Sequence, residues 1–381
     1  MIRWFYKYGF VLLLLNTILY SINETKDTVA PIVFYFLMGG GLFLLVINPA
    51  QIKDVIFHKS FLFLFLINLI NLIYFLFFED EFNQKSLQFL MARFVQFSLI
   101  SLSIYHNYDY YKKKFPSLIT KAISFTIILG LFYNPYLFSE SRYNGIIWNP
   151  NMLASLSVLA FSFLLMKNEK KTNLDVFLLI LLFIVSIATG SRLALLGIAF
   201  AFIYKFGFSF RNTLYALMGL ILLIILSTTD LDTSFNRFYS QDILNDRTEQ
   251  FNFAIENINK KLWFGYGLSE YSGNPEEIEI PEEYQGFFMA SHNGYLSLFL
   301  QYGLLFGSFI LLIILRKSLG LLFYYIKKEQ KDSIFLFVIF LTLISALFET
   351  LVTGINEFHT ILFWFSLSYL SYSRFIEDYE S

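Results

Sequence analysis

The sequence predicts an all-α, polytopic membrane protein, and three observations carry that prediction. Apolar runs of roughly 18 or more residues, the length a helix needs to cross a bilayer, recur from one end of the chain to the other. The composition is 56% hydrophobic and 20% aromatic with only 15% charged residues, and the mean hydropathy is +0.58. A soluble domain this apolar would precipitate. The segments between the runs alternate between lysine- and arginine-rich and acid-rich, as the positive-inside rule requires of a multi-pass protein.

About twelve spans are expected, each delimited by a change from apolar to polar sequence. The first, near residues 4–22, carries Arg3 and Lys7 about its start, ahead of the apolar stretch from Gly9 to Tyr20, and resembles a signal sequence in outline, but no small-residue cleavage site follows, so it reads as a retained helix. The second and third, 30–48 and 60–78, are separated by Lys53 and Lys59, and Glu79, Asp80 and Glu81 precede the fourth, 87–105. Lys112 to Lys114 lead into the fifth, 117–137; Glu140, Arg142 and the turn Asn149-Pro150 lead into the sixth, 150–167. Lys167, Lys170 and Lys171 precede the seventh, 174–189, which Thr189-Gly190-Ser191 joins to the eighth, 192–206. Lys205 and Arg211 come before the ninth, 213–229. A long segment, 230–290, separates it from the tenth, 292–315. Arg316, Lys317, Lys327, Lys328 and Lys331 lie between the tenth and the last two, 333–350 and 358–373.

An even number of spans puts both termini on one side, and the basic connections make that side cytoplasmic. Residues 1–381 then form a single integral membrane domain. The net charge of -1 points to no particular partner, and nothing suggests nucleic acid. With no cysteine, disulfides, thiol nucleophiles and thiolate metal sites are excluded.

The unusual features all fall on the outer face. Arg192 lies at depth between two apolar runs, where a charge is costly and normally faces a polar cavity or a partner. At the start of a helix, its guanidinium fork and the unpaired backbone N–H groups suit an anion, preferably a phosphate. A snorkelling arginine is the alternative reading.

The 230–290 segment is far longer than the joining of two helices requires. Within it, 246–261 reads as an amphipathic helix opened by a capping-box-like Asp246 and Glu249, with Phe251, Ala254, Ile255 and Ile258 on its apolar face. Such a helix could lie along the membrane surface with Trp263 and Phe264 at headgroup level. Arg247, at its start, could be a second phosphate clamp, or else an exposed salt bridge to Glu249 or a neighbouring acid. The acidic residues 276–283 read as a solvated loop without organised metal-ligand spacing, so no metal is expected.

Ser291-His292-Asn293-Gly294-Tyr295 marks the return to the membrane. Of four histidines, His58 and His106 fall on cytoplasmic connections, leaving His292 and His359 on the outer face. His292 is expected in the first turn of a helix, where the dipole favours a neutral ring able to accept a proton. In Arg142-Tyr143-Asn144-Gly145 and Trp148-Asn149-Pro150-Asn151 the asparagines read as turn and cap residues. Arg93, roughly 9 Å below the outer end of the fourth span at 1.5 Å per residue, shares a face with Gln96 and suggests a polar cavity open to the outside. Gly303 and Gly307 form a GxxxG read as helix packing.

Four of these stretches, in this order, resemble the bacterial O-antigen polymerase and O-antigen ligase superfamily, membrane glycosyltransferases of the GT-C type. They are Arg142 through Asn149-Pro150-Asn151 to Ala154, Thr189-Gly190-Ser191-Arg192, Arg247 through Ala254 to Phe264-Gly265-Tyr266-Gly267, and Ser291 through Leu296 to Gly303-Leu304. The resemblance covers residues 140–310 as a core, with Leu193 standing where many members have glycine and the 276–283 acidic stretch matching no family pattern.

The resemblance implies a GT-C-like fold at the bacterial inner membrane with its site facing the periplasm. It implies that Arg192 and Arg247 grip the pyrophosphate of an undecaprenyl-linked glycan donor and that His292 is the catalytic base. Arg142, Arg93, Asn293, Ser191 and Tyr295 complete the candidate substrate-binding set. The activity it implies is polymerisation of lipid-linked repeat units onto a saccharide acceptor, without metal or other cofactor. Besides the lipid bilayer, a chain-length regulator is an expected partner. The alternatives are an O-antigen ligase and, from another class, a flippase or transporter, against which stand the absence of visible repeats and the placement of every candidate on one face.

Overall fold

The computed structural model describes residues 2–79, 83–138, 142–207, 209–212, 214, 247–270, 291–328 and 334–380. The protein is an all-α membrane protein: among the described residues the only β pairing is an isolated bridge between Ile22 and Ile147. The ninth expected span, the Asp246 cap and the acidic residues 276–283 lie outside the described residues.

The helices are α1 (Ile2–Tyr20), α2 (Asn23–Lys26), α3 (Val29–Ile47), α4 (Pro49–Ile56), α5 (Leu62–Phe77), α6 (Gln84–Lys113), α7 (Phe115–Tyr133), α8 (Pro150–Met166), α9 (Asn173–Ala188), α10 (Arg192–Phe206), α11 (Arg247–Lys260), α12 (Gly294–Lys327), α13 (Ile334–Ser345) and α14 (Phe358–Glu380). α3, α6, α7 and α12 are long and apolar enough to cross a membrane by length and composition, and α5, α8, α9 and α13 are shorter apolar helices. The short helices α2 and α4 occupy connections between expected spans; Pro49 pre-sets the first turn of α4.

The core sits where α1, α6, α13 and α14 meet. Between lipid and protein there is no hydrophobic driving force of the aqueous kind, so close packing must hold the helices together. Aromatic rings supply much of it: Phe10 stacks on Phe365 at 4.5 Å between centroids, and Phe115, Phe335 and Tyr111 pack around that pair. A second group of helices is built on α8, which packs against α7, α9 and α10.

Three expected elements differ in ways that matter. α12 starts at Gly294 rather than 292 and runs to Lys327, but it is broken at Gly303, with φ 65° and ψ -177°. That region of backbone space is essentially open to glycine alone. At the break, the N–H groups of Leu304 and Leu305 bond to the carbonyls of Leu262 and Trp263, and those of Tyr266 and Gly267 bond to Leu300 and Gln301. The GxxxG reading is therefore corrected. Gly303 admits the backbone of the 262–267 segment into the helix, and a Cβ on Gly307 would meet Phe299 of its own helix.

The apolar face of α11 is rotated from the expected one. Gln250, Phe253, Ala254, Asn257 and Ile258 are buried, while Ile255 is 46% exposed. Packing decides this: Ala254 and Ile258 close on Leu300 of α12, with Leu262, Tyr266, Leu296 and Phe299 around them.

The eleventh expected span stops at Ser345, five residues short, and residues 346–357 form irregular backbone packed among helices. Irregular backbone at such a place is tolerated where protein groups satisfy its carbonyls and amides.

Candidate active site

The site gathers around a carboxylate that the sequence reading passed over. Glu349 lies in the 346–357 segment, where its own N–H bonds to the Ser345 carbonyl and holds it one turn beyond α13. Its Oε1 lies 3.4 Å from Arg247 Nη2, its Oε2 lies 3.7 Å from His292 Nδ1, and Asn151 Nδ2 donates to Oε1 at 3.5 Å. The side chains of Glu349, Arg247 and His292 are 21%, 26% and 27% exposed, so the cluster remains open to a ligand.

Arg142 extends the cluster. Its Nε donates to the Thr189 carbonyl at 2.7 Å and its Nη2 donates to Asn151 Oδ1. The Tyr143 N–H bonds to the Ala188 carbonyl at 3.1 Å, so the chain before α8 lies against the end of α9. Asn149, and not Asn151, caps α8, accepting from the Asn151 N–H at 2.8 Å. Asn151 does more than turn chemistry: it links Arg142 to Glu349.

Gly190 has the positive φ, 61°, that the tight turn between α9 and α10 needs. Ser191 is buried at the N-cap position of α10 without a side-chain cap bond, and its N–H bonds to Thr189 Oγ1 at 3.3 Å. Arg192 is the first residue of α10 and is half-buried.

His292 is not in the first turn of its helix. It stands ahead of the cap with φ 39°, a conformation rare for a side-chain-bearing residue and characteristic of constrained sites. Asn293 is the cap: its Oδ1 accepts from the N–H groups of Tyr295 and Leu296 at 2.9 and 3.0 Å, and its Nδ2 donates to the Leu347 carbonyl at 3.2 Å. Tyr295 donates its hydroxyl to the Leu343 carbonyl at 2.8 Å. Both side chains thus tie α12 to the end of α13 and the segment that bears Glu349.

Arg247 is paired with Glu349, an acid distant in sequence and not its neighbour Glu249, because it opens α11 facing the 346–357 segment; its guanidinium also lies 5.9 Å from the Phe348 ring. Among the described residues Arg93 is packed into the protein and not open to the outside. It is 3% exposed, its Nη2 donates to the carbonyls of Thr353 and Gly354, and Gln96 donates to the Ile355 carbonyl.

Four helices begin at this cluster: α8 through Asn151, α11 through Arg247, α12 through His292 just ahead of its cap, and α10 just after the Thr189 carbonyl that receives Arg142. The first N–H groups of a helix lack intrahelical partners and carry partial positive charge. Helix ends of this kind beside Arg142 and Arg247 have the chemistry that suits an anion, and Arg192 opens the neighbouring α10. Glu349 was legible in principle, since a carboxylate at the end of an apolar run is a functional candidate.

No curated protein matches the chain. Residues 177–312, which run from α9 into α12 and include Arg192, Arg247 and His292, match the family model described as O-antigen ligase. Over that stretch the chain is similar to the O-antigen ligase family, a likeness consistent with the O-antigen polymerase and ligase superfamily.

Proposed function

We propose that the protein is a glycosyltransferase that joins undecaprenyl-pyrophosphate-linked repeat units into an O-antigen or capsular polysaccharide at the outer face of the inner membrane. The observation that carries this reading is the convergence of helix N-termini and arginines on a cluster that also holds one histidine facing one carboxylate. A pyrophosphate suits the cationic part and a sugar hydroxyl suits the histidine. Twelve spans, cytoplasmic termini and a GT-C-like arrangement are the framework this reading uses.

The acceptor sugar hydroxyl attacks the anomeric carbon of the donor. As the new carbon–oxygen bond forms, the bond to the pyrophosphate oxygen breaks and the lipid pyrophosphate leaves with that electron pair. His292 takes the hydroxyl proton, with Nδ1 turned toward Glu349 so that the ring is oriented and its positive charge is met as it forms. Arg192 and Arg247, with the helix ends, stabilise the charge growing on the departing diphosphate. Arg142 acts beside them through Thr189 and Asn151.

The family description favours a second reading, a ligase that passes a finished glycan to lipid A-core or another acceptor. Both share the donor and the chemistry, and deletion separates them. A polymerase loss leaves single repeats on the final acceptor, whereas a ligase loss strands long chains on the undecaprenyl carrier. Purified protein given a defined lipid-linked donor in detergent tests the class: glycan transfer without a sealed membrane is expected, and its absence, with transport retained in vesicles, would make the protein a flippase.

A further inference from the structure

An arginine buried in a membrane helix is expensive unless its donors are satisfied and its charge serves some end. Arg93 lies on α6 between Phe89 and Phe97, one turn to either side, with ring centroids 5.3 and 5.4 Å from its guanidinium carbon. Its Nη2 donates to two backbone carbonyls of the 346–357 segment and the Gln96 amide, one turn along the same face, donates to a third, while Arg93 Nη1 is buried without a hydrogen-bond partner among the described residues.

That segment is held from two other sides. The Gly294 N–H bonds to the Ala346 carbonyl at 2.7 Å, and a Cβ at Gly294 would run into the Leu351 carbonyl. The Val352 N–H bonds to Thr360 Oγ1 at 3.2 Å, and Thr360 in turn donates to Glu357 at 2.9 Å. Val352 has φ 96°, a backbone state that a β-branched residue keeps only when its surroundings over-determine it. The strained residue stands between Glu349 and the carbonyls that Arg93 and Gln96 hold.

We propose that Arg93 and Gln96 are positioning residues for the active site: by holding the carbonyls of Thr353, Gly354 and Ile355 they fix the 346–357 segment, and with it the Glu349 carboxylate between Arg247 and His292. The catalytic consequence rests on the glycosyl-transfer reading above; the anchoring of the segment does not. Without the anchor, Val352 relaxes, the segment loses its fixed path and Glu349 no longer meets both partners at once. A displacement of about 1 Å in such a site costs on the order of a hundredfold in rate.

The test uses the full chain in lipid nanodiscs, with Arg93→Gln and Gln96→Leu. Gln96→Leu keeps volume and removes one bond, so it carries the test if Arg93→Gln does not fold. Hydrogen exchange without substrate is expected to quicken across 346–357 while α8 and α9 stay as in the parent protein; unchanged exchange across 346–357 would overturn the anchor.

Turnover of a lipid-pyrophosphate-linked repeat unit is expected to lose roughly tenfold or more in kcat with donor KM changed less than about threefold. In a Glu349→Gln background, Arg93→Gln is expected to cost little more. A raised KM at unchanged kcat would make Arg93 a substrate contact, and losses that multiply in the double variant would show it acting independently of Glu349; either result overturns the proposal. A parent protein that transfers no glycan, with the exchange result intact, would sink the glycosyl-transfer reading and leave the anchor standing.

Discussion

Glu349 holds two partners of opposite use, an arginine suited to an anion and a histidine suited to a proton. A neutral amide of the same shape keeps the packing and removes the charge that orients His292 and meets its imidazolium. Glu349→Gln is therefore expected to reduce kcat by about a hundredfold or more while the protein still inserts, and Glu349→Asp to recover only part of the loss. Single-turnover rates on a defined lipid-linked donor check this; near-parental rates for Glu349→Gln would remove the carboxylate from the chemistry. His292→Ala, Arg192→Ala and Arg247→Ala are each expected to abolish product with expression retained. Arg192→Lys is expected to be poor as well, because an ammonium does not reproduce the guanidinium fork. Polymer of normal length from the lysine variant would reduce Arg192 to simple charge attraction.

Helices were legible in the sequence wherever a long apolar run met a charged or turn-forming segment, and the breaks inside the runs were not. Gly303 shows why. Its spacing to Gly307 fits a packing motif, yet its conformation is set by a segment more than thirty residues earlier in the chain, whose backbone replaces the helix's own partners. The face of α11 was misjudged by the same kind of cause: Phe251 and Ile255 have the right period, but α12 offers its contact to Ala254 and Ile258. Arg142, Arg192, Arg247 and His292 stood out because a charge or a rare residue beside an apolar run is conspicuous. Glu349 was absorbed into an apolar run that in fact ends at Ser345.

The junction at Gly303 gives a prediction for these elements. Gly303→Ala places a Cβ against the Trp263 and Phe264 backbone in a conformation closed to alanine, at a cost of about 1–3 kcal/mol. Lower thermal stability and faster hydrogen exchange confined to 262–268 and the first half of α12 are expected. A variant with parental stability would mean that the break is not needed to seat the loop.

Across the whole molecule, the 346–357 segment is the place where α6, α12, α13 and α14 are tied together, and its last residue is a half-buried acid. Glu357 accepts from Thr360, and burial pushes its carboxyl up from the ordinary 4.5 to about 7, against the opposing pull of Arg93. A carboxyl whose folded value is raised makes the folded state bind more protons than the unfolded chain. The stability this group contributes is thus fully present below about pH 4.5 and is lost as pH rises through about 7. The loss is on the order of 3 kcal/mol at most. Other groups titrate in the same window, so the informative quantity is the difference between the parent protein and Glu357→Gln, which cannot ionise. Between pH 5 and 8 the apparent Tm of the parent in detergent is expected to fall relative to that of the variant, with the gap widest at the alkaline end. Parallel curves would mean that Glu357 exchanges no proton on unfolding, and that its charge in the fold is already matched by Arg93.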